Sequence, residues 1–433
     1  MSNNFAENNS TQQQYIPQGD AVDFIRETFH YQSRFKGSTM VFKIDFPVTG
    51  DPGFPYLVKD LALLARTGFK IVIVPGAETS TDAVVQQHEI FNVATRFMTY
   101  LSGSRADAII GNFVRARGLG VVNGVDMEHN GTVDKIYTDS ISRVLNLGMV
   151  PILPCIGWSP AGKPYNVPGD EIALAVSSAL GAIKLFIVSA HGGLRKGEFP
   201  LPDTIEIRDD GRLLRLCPQE AEAILASNSG DHGNSAAEVM RELRLALLAS
   251  RAGVDRIHII DGREEGAVLR ELFSNLGSGT MVYTDEYDSI RPFHSRDLPD
   301  ILRLMEPLMQ TGILIRRTAD QILEKRNDYV VFIIDESVRA CGALHDWGEG
   351  QGEIAAVAAD PFYAGLNLGR RIVGYLIEKA RKNRMSRVFV LTTGTQDWFE
   401  SLGFRAVSID SLPERKRQVY DHSRKSKAFA LEL

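Results

Sequence analysis

Val357-Ala-Ala-Asp360-Pro361 runs into Tyr363-Ala-Gly365-Leu-Asn367-Leu-Gly369-Arg370-Arg371 and then into a long stretch with apolar residues at helical spacing. That order predicts a strand, a tight loop of small residues and a helix N-terminus. The first amides of a helix have no partner within it, and with the positive end of the helix dipole they make a seat for phosphate oxygens. A pyrophosphate-bearing ligand fits such a seat. A Gly-rich turn ahead of a helix is often only a turn, so its neighbours decide the reading. Beyond residues 372–382 come Arg387-Val-Phe-Val-Leu391-Thr392-Thr393, a β-branched run of strand length, and then Trp398-Phe-Glu-Ser-Leu-Gly403-Phe404.

This order of strand, loop, helix, strand, short helix and Gly-Phe resembles the acetyl-coenzyme A half of the Gcn5-related N-acetyltransferase (GNAT) family. The family's loop usually reads Arg/Gln-x-x-Gly-x-Gly/Ala, whereas Ala364, Asn367 and Gly369 stand at its first, fourth and sixth positions. Main-chain donors need no particular side chain, and Asn tolerates the left-handed conformations that glycine usually supplies, so the seat survives the departure. The resemblance implies acetyl-coenzyme A as cosubstrate, bound around Val357, Ala359, Ala364, Gly365, Asn367, Gly369 and Arg370.

The elements that position these residues belong to a chain of 433 residues, too long for one ordinary core. A net charge of −6 argues against a general nucleic-acid binder, although basic residues cluster between Arg415 and Lys427 as either a solvated surface or a local anion site. Cys155, Cys217 and Cys341 form no CxxC or CxxH pattern, so neither a disulfide framework nor a metal site is indicated and a reducing cytoplasm fits. Residues 1–20, rich in Asn, Gln and Ser, read as a disordered leader, and no segment approaches a membrane span. From Thr39 onward, apolar runs such as Thr39–Ile44, Phe69–Val74, Lys184–Ser189 and Val254–Asp261 alternate with helical stretches, including expected helices near residues 83–93 and 105–116. Such alternation predicts an α/β fold: a doubly wound, mainly parallel domain over residues 21–284. A polar linker at 285–289 leads to an α+β domain over 290–433, with a helix from Leu298 and a hairpin through Tyr329–Ile334 and Arg339–Leu344.

An amino-acid-kinase-like domain followed by an acetyltransferase domain is similar to the layout of the bacterial N-acetylglutamate synthases. The specific pieces are Gly312-Ile-Leu-Ile-Arg-Arg317, Phe389-Val-Leu-Thr-Thr393, Trp398-Phe399 with Gly403-Phe404, and the tail from Leu412 through Ser426-Lys427; in the first domain they are His258-Ile-Ile-Asp261-Gly262 and Leu269-Arg-Glu271 with Gly277-Ser-Gly279-Thr280. Acetylglutamate kinases carry Lys-x-Gly-Gly, His-Gly-Gly-Gly-Pro and a second lysine. Here the corresponding residues are Lys43-Ile-Asp45-Phe46, Pro75-Gly76-Ala77-Glu78 and Glu242, with Asp170 alone matching an Asn-x-Asn-Ala-Asp motif. Phosphoryl transfer depends on cations and backbone donors around the moving charge, and carboxylates in those places oppose it.

Acetyl transfer to an amine needs a base for the ammonium proton and an acid for the leaving thiolate. Glu353, at the start of the strand that leads to the phosphate loop, is the expected base, because the resemblance puts the acceptor amine beside that strand's first half. Thr392 is the expected, weaker choice for the thiolate's hydrogen-bond donor. An acidic amino acid as acceptor has two carboxylates, best gripped by guanidinium forks. The resemblance implies Leu314, Arg316 and the backbone near Ala356 on the α-carboxylate of L-glutamate, and Arg424 and Ser426 on its side-chain carboxylate. It further implies control by L-arginine bound in the first domain, with Tyr31 and Glu271 as contacts, and a homo-oligomer, possibly a hexamer, joined through an N-terminal helix. Competing readings are an acetyltransferase for another small amino acid such as aspartate, an acetylglutamate kinase with an appended domain, and a non-catalytic arginine sensor.

Overall fold

A computed structural model describes residues 28–29, 31–78, 83–202, 205, 207, 210–228, 234–273, 277–284, 288–334, 337–361, 363 and 367–433. The leader at 1–20 lies outside the described residues. The chain divides into two compact units, residues 1–284 and 285–433.

The first unit is built on an eight-stranded sheet among its described residues. Its middle strands, Thr39–Ile44, Lys70–Pro75, Lys184–Ser189 and Arg256–Asp261, run parallel, and Thr280–Tyr283 pairs antiparallel to the last of them. Strands of near-continuous Val, Ile and Phe are what a sheet covered on both faces requires. One face carries a core of Val41, Leu185, Ile172, Val176 and Leu243; the other packs Phe42, Phe186, Leu61 and Phe97. The expected helix at 105–116 is not formed. Ala108–Ile110 is a strand paired parallel with Val150–Ile152, and Val114–Gly118 joins a small four-stranded sheet. The preceding 21-residue helix, Ala83–Gly103, ends just before this stretch, and Arg105 turns the chain with φ +59°.

The second unit is a seven-stranded, mostly antiparallel sheet in the order Asp288–Pro292, Tyr329–Ile334, Ser337–Asp346, Gln351–Ala359, Arg387–Thr392, Lys427–Glu432, Arg405–Val407. The linker expectation needs correction at one end: residues 285–287 lie outside the described residues, but Asp288 and Ser289 pair with Ile334 and Ile333. An edge strand tolerates polar residues, so their composition read as loop.

Two irregularities beside the strand Gln351–Ala359 shape this part of the sheet. In the Ser337–Asp346/Gln351–Ala359 pair, Cys341 faces Ala358 and Ala343 faces Ala355, so Ala356 and Val357 stand against Gly342 alone, and Ala356 takes φ +53°. Such a bulge bends its strand and increases local twist. The parallel ladder between Gln351–Ala359 and Arg387–Thr392 covers only the pairs from Gln351↔Arg387 to Glu353↔Phe389. Beyond Glu353 the two strands part, opening a wedge at their C-terminal ends. The helix Leu368–Lys382 buries Leu368, Ile372, Val373, Leu376 and Ala380 against the sheet, and it comes so close at Gly342 that an added Cβ would stand 2.6 Å from Ile372 Cγ2. Lys379, Arg381 and Lys382 in its last turn suit the negative end of its dipole.

Candidate active site

Glu353 lies in the last ladder pair before the wedge and is 5% exposed. Its carboxylate accepts hydrogen bonds from Trp347 Nε1 at 2.8 Å and from Lys416 Nζ, which stands 2.9 Å from Oε1 and 2.7 Å from Oε2. Lys416 comes from the short helix Glu414–Gln418, is 7% exposed, and sits with Nζ 4.6 Å above the Trp347 ring. Removing both charges from water is costly, and the three hydrogen bonds with the cation–π contact offset that cost. Lys416 and Trp347 escaped the sequence reading: the lysine lay inside a basic cluster that reads as solvated surface, and only the fold turns it inward.

Glu353 and Lys416 line one cleft with Leu314, Ala356, Arg317 and Arg424. Tyr420 and Ser426 complete its rim. Arg424 Nη2 donates to the carbonyls of Gly312 at 2.8 Å and Ile313 at 3.2 Å, tying the tail to the Gly312–Arg317 segment. The Ser426 carbonyl accepts from Tyr420 Oη at 2.6 Å. Leu314 contributes apolar wall, since its amide donates to Leu308 O at 2.9 Å. Arg316 requires a correction: it is exposed and does not line this cleft, whereas its neighbour Arg317 does, with Nη1 2.8 Å from Tyr329 Oη.

Thr392 ends its strand as a turn residue. Its hydroxyl accepts from the amides of Gly394 at 3.3 Å and Thr395 at 3.0 Å and pairs with Thr395 Oγ1 at 2.7 Å. That is a local turn motif, and it leaves little capacity for a leaving thiolate. Tyr420, not singled out from the sequence, is the cleft's phenol.

On the other side of the wedge, Val357 and Ala359 are half-buried on their strand and Asn367 caps the Leu368–Lys382 helix in the left-handed conformation, φ +49°. The first helical bond in this turn is Arg371 N to Asn367 O, so the amides at 368–370 lack intrahelical partners. Gly369 lies under Trp398, where an added Cβ would meet the indole at 3.3 Å, and Arg370 Nη2 reaches Ser401 O at 3.4 Å. Ala364 and Gly365 lie outside the described residues. An exposed helix N-terminus beside parted strands suits a long ligand with phosphates at one end and an extended arm at the other.

Models of two protein families match the chain: the amino acid kinase family over residues 48–261 and the acetyltransferase (GNAT) family over 296–404. The amino-acid acetyltransferase of Escherichia coli (strain K12) is 31% identical over 96% of this chain and 98% of its own length. This chain belongs to the amino-acid acetyltransferase family. The Pasteurella multocida amino-acid acetyltransferase is likewise 31% identical, over 94% of the chain and 97% of its own length. Among solved structures, N-acetylglutamate synthase from Neisseria gonorrhoeae complexed with coenzyme A and L-arginine matches with TM-score 0.77 and 28% identity, covering 95% of this chain and 99% of that one. The same synthase complexed with coenzyme A and N-acetyl-glutamate is 30% identical over the same shares, with TM-score 0.57.

In the amino-acid-kinase unit of this acetyltransferase, the residues at the phosphate-motif positions neutralise one another around a cleft of about 790 Å³. Lys43 Nζ pairs with Asp45 and lies 2.8 Å from Asp170 Oδ1; Arg241 reaches Asp170 Oδ2 at 2.6 Å and Asp45 Oδ2 at 3.4 Å. Burial, reinforced by the Asp45 charge, pushes the Glu242 carboxyl up to about 8.

The two effector candidates share one neighbourhood. Glu271 accepts from His258 Nδ1 at 2.6 Å, Ser278 N at 2.6 Å and Gly279 N at 3.0 Å. Burial opposes its ionisation, yet those donors win and hold the carboxyl down at about 2. Burial first, and Lys184 second, lower His258 to about 4; the neutral ring gives its Nδ1 proton to Glu271 and presents Nε2 to Lys184 Nζ at 3.3 Å. That ammonium lies 5.7 Å from the Tyr31 ring, which packs edge-on against Phe273. Glu271 is therefore an internal anchor with its donors already in place.

Among the described residues no group of three His, Cys, Asp or Glu side chains is arranged to hold a metal, and no helix is long and apolar enough to cross a membrane.

Proposed function

We propose that this chain is an N-acetylglutamate synthase, transferring acetyl from acetyl-coenzyme A to the α-amine of L-glutamate in the first step of arginine biosynthesis. The observation that carries the reading is the cleft at the mouth of the wedge, where a buried carboxylate, Glu353, shares its walls with two guanidinium groups, Arg317 and Arg424. Extended along the wedge, the pantetheine arm would pair with the bared strand edges and bring the thioester to Glu353, with the pyrophosphate on the amides at 368–370. The cleft's two arginines would each take one substrate carboxylate. Glu353, directly or through a water, takes a proton from the α-ammonium; the amine attacks the thioester carbonyl, the C–S bond breaks, and the second proton that the nitrogen sheds in becoming an amide is returned to the thiolate, directly or through water, to give coenzyme A.

The first unit is read as a sensor of L-arginine, centred on Tyr31, Lys184 and the Glu271 anchor. The matched synthase structure containing L-arginine supports this. Its mutually neutralised charges favour no residual acetylglutamate kinase activity. We also read the chain as a cytoplasmic homo-oligomer, a hexamer in the first instance, which sedimentation would check.

Release of coenzyme A with a panel of twenty amino acids, with and without arginine, tests the function. Turnover confined to L-glutamate without ATP or metal is expected. Turnover of L-aspartate in its place would move the assignment to a shorter acceptor.

A further inference from the structure

Lys416 is a buried cation at a place where the acceptor also brings a cation. Its ammonium touches both oxygens of Glu353, sits over the Trp347 ring, and lines the same cleft. Salt-bridge stabilisation alone would not call for this position, because a buried pair is often no more stable than apolar residues of equal volume. The other charged or titratable groups around the pair are Arg317, Tyr420, Asp421 and Arg424 in the cleft, Lys325 with Nζ 5.7 Å from the Trp347 ring, and His345, the cross-strand neighbour of Glu353, paired with Asp328 at 2.6 Å. Asp421 is the sole additional carboxylate among the cleft's described lining residues. An incoming α-ammonium therefore shares Glu353 with a cation already in place.

We propose that Lys416 is a positioning residue for acetyl transfer: it fixes the Glu353 carboxylate at the wedge and, as a like charge beside the substrate's ammonium, makes that ammonium easier to deprotonate. This rests on the reading of Glu353 as the base. At neutral pH an unassisted α-ammonium is mostly protonated, and a fixed positive neighbour beside it favours its neutral, nucleophilic form. The proton leaves through Glu353 to solvent, and Lys416 keeps its own.

The test is the pH dependence of kcat at saturating glutamate and acetyl-coenzyme A. K416M keeps the stem and removes the charge; kcat is expected to fall about tenfold at pH 7, with the acidic limb moved about one pH unit upward and the rate approaching that of the parent at high pH. K416R, which retains the charge, should restore the position of the limb. K416Q serves as the uncharged variant if K416M does not fold. A limb that stays in place in folded K416M or K416Q, with activity tracking Tm alone, overturns the proposal and makes Lys416 a structural counter-ion. The double variant K416M/E353Q separates the two effects: a further loss at pH 7 below E353Q reports the direct action of the charge on the ammonium, and no further loss overturns that half of the proposal. If E353Q itself keeps kcat and its pH profile, the base assignment fails, whatever Lys416 does.

Discussion

Each unit of this chain buries a lysine against carboxylates, and the two arrangements differ in what they leave available. In the kinase-like unit Lys43 is wedged between Asp45 and Asp170, Arg241 closes the same two carboxylates from the other side, and Glu242 beside them is held neutral near pH 7 by burial and Asp45. Both sets line a cleft, but in the acetyltransferase unit one lysine meets one carboxylate, and the two arginines that share the cleft bond to a phenol and to backbone carbonyls instead of to a carboxylate. A buried ion pair is thus no mark of catalysis in itself. Chemistry needs a charge that remains incompletely satisfied until the substrate arrives.

The sharpest way to break this comparison is to neutralise one member on each side. Glu353→Gln keeps size and hydrogen bonding but cannot take the ammonium proton, so kcat should fall by roughly 10² to 10⁴, with partial recovery as pH rises, while Lys43→Met in the kinase-like cleft should leave kcat within about threefold. Steady-state kinetics across pH 6 to 10 checks both, and an unchanged kcat for Glu353→Gln would end the base assignment.

Next in size is the pair of cleft arginines. Arg317→Ala or Arg424→Ala removes a charge-assisted contact worth about 2 to 3 kcal/mol, a loss on the order of 30- to 150-fold in kcat/KM for glutamate with the acetyl-coenzyme A KM little changed. Arg316→Ala should cost less than about fivefold, since Arg316 lies outside the cleft. The reverse ranking would restore the motif-based assignment.

A smaller effect concerns stability. Glu242 has a folded-state value of about 8 against an ordinary 4.5, so the native state holds a proton that the unfolded chain releases, and native stability falls as pH rises from about 4.5 to 8. Glu242→Gln removes that dependence, so thermal melts should show the variant gaining over the parent by about 1 to 3 kcal/mol between pH 5 and pH 8. Glu271 has the opposite sign: its value of about 2 lends stability that is complete above its unfolded value and is lost as pH falls toward 2. Smallest is Thr392→Val, expected to change kcat by less than about threefold while loosening the turn, because its hydroxyl already serves Gly394 and Thr395.

The sequence disclosed the order of elements because buried parallel strands and an amphipathic helix have periods of their own, as in Lys184–Ser189 and Leu368–Lys382. It also disclosed Glu353 and Arg424 as cleft residues, on the strength of motif resemblance. It misjudged residues 105–116, where strand pairing across the sheets sets the backbone. It named Arg316 where the cleft is lined by its neighbour Arg317, since the side-chain directions of an irregular segment follow from the fold and not from a motif match. Lys416 carried no local signal, because its meeting with Glu353 depends on a tail segment folding back more than sixty residues later, whereas Trp347 reaches Glu353 across its own hairpin.

The place of Lys427–Glu432 in the sheet has a consequence for biosynthesis. That strand is inserted between Arg387–Thr392 and Arg405–Val407, both made before it. Until it emerges from the ribosome, Arg387–Thr392 has one bare edge with the apolar sequence Val388 to Leu391, and Arg424 and Ser426 cannot reach the cleft. Synthesis from the N-terminus at about 5 to 20 residues per second gives the kinase-like unit a head start and leaves the catalytic sheet unfinished until that strand is made, with an open strand edge exposed to pairing with another nascent chain.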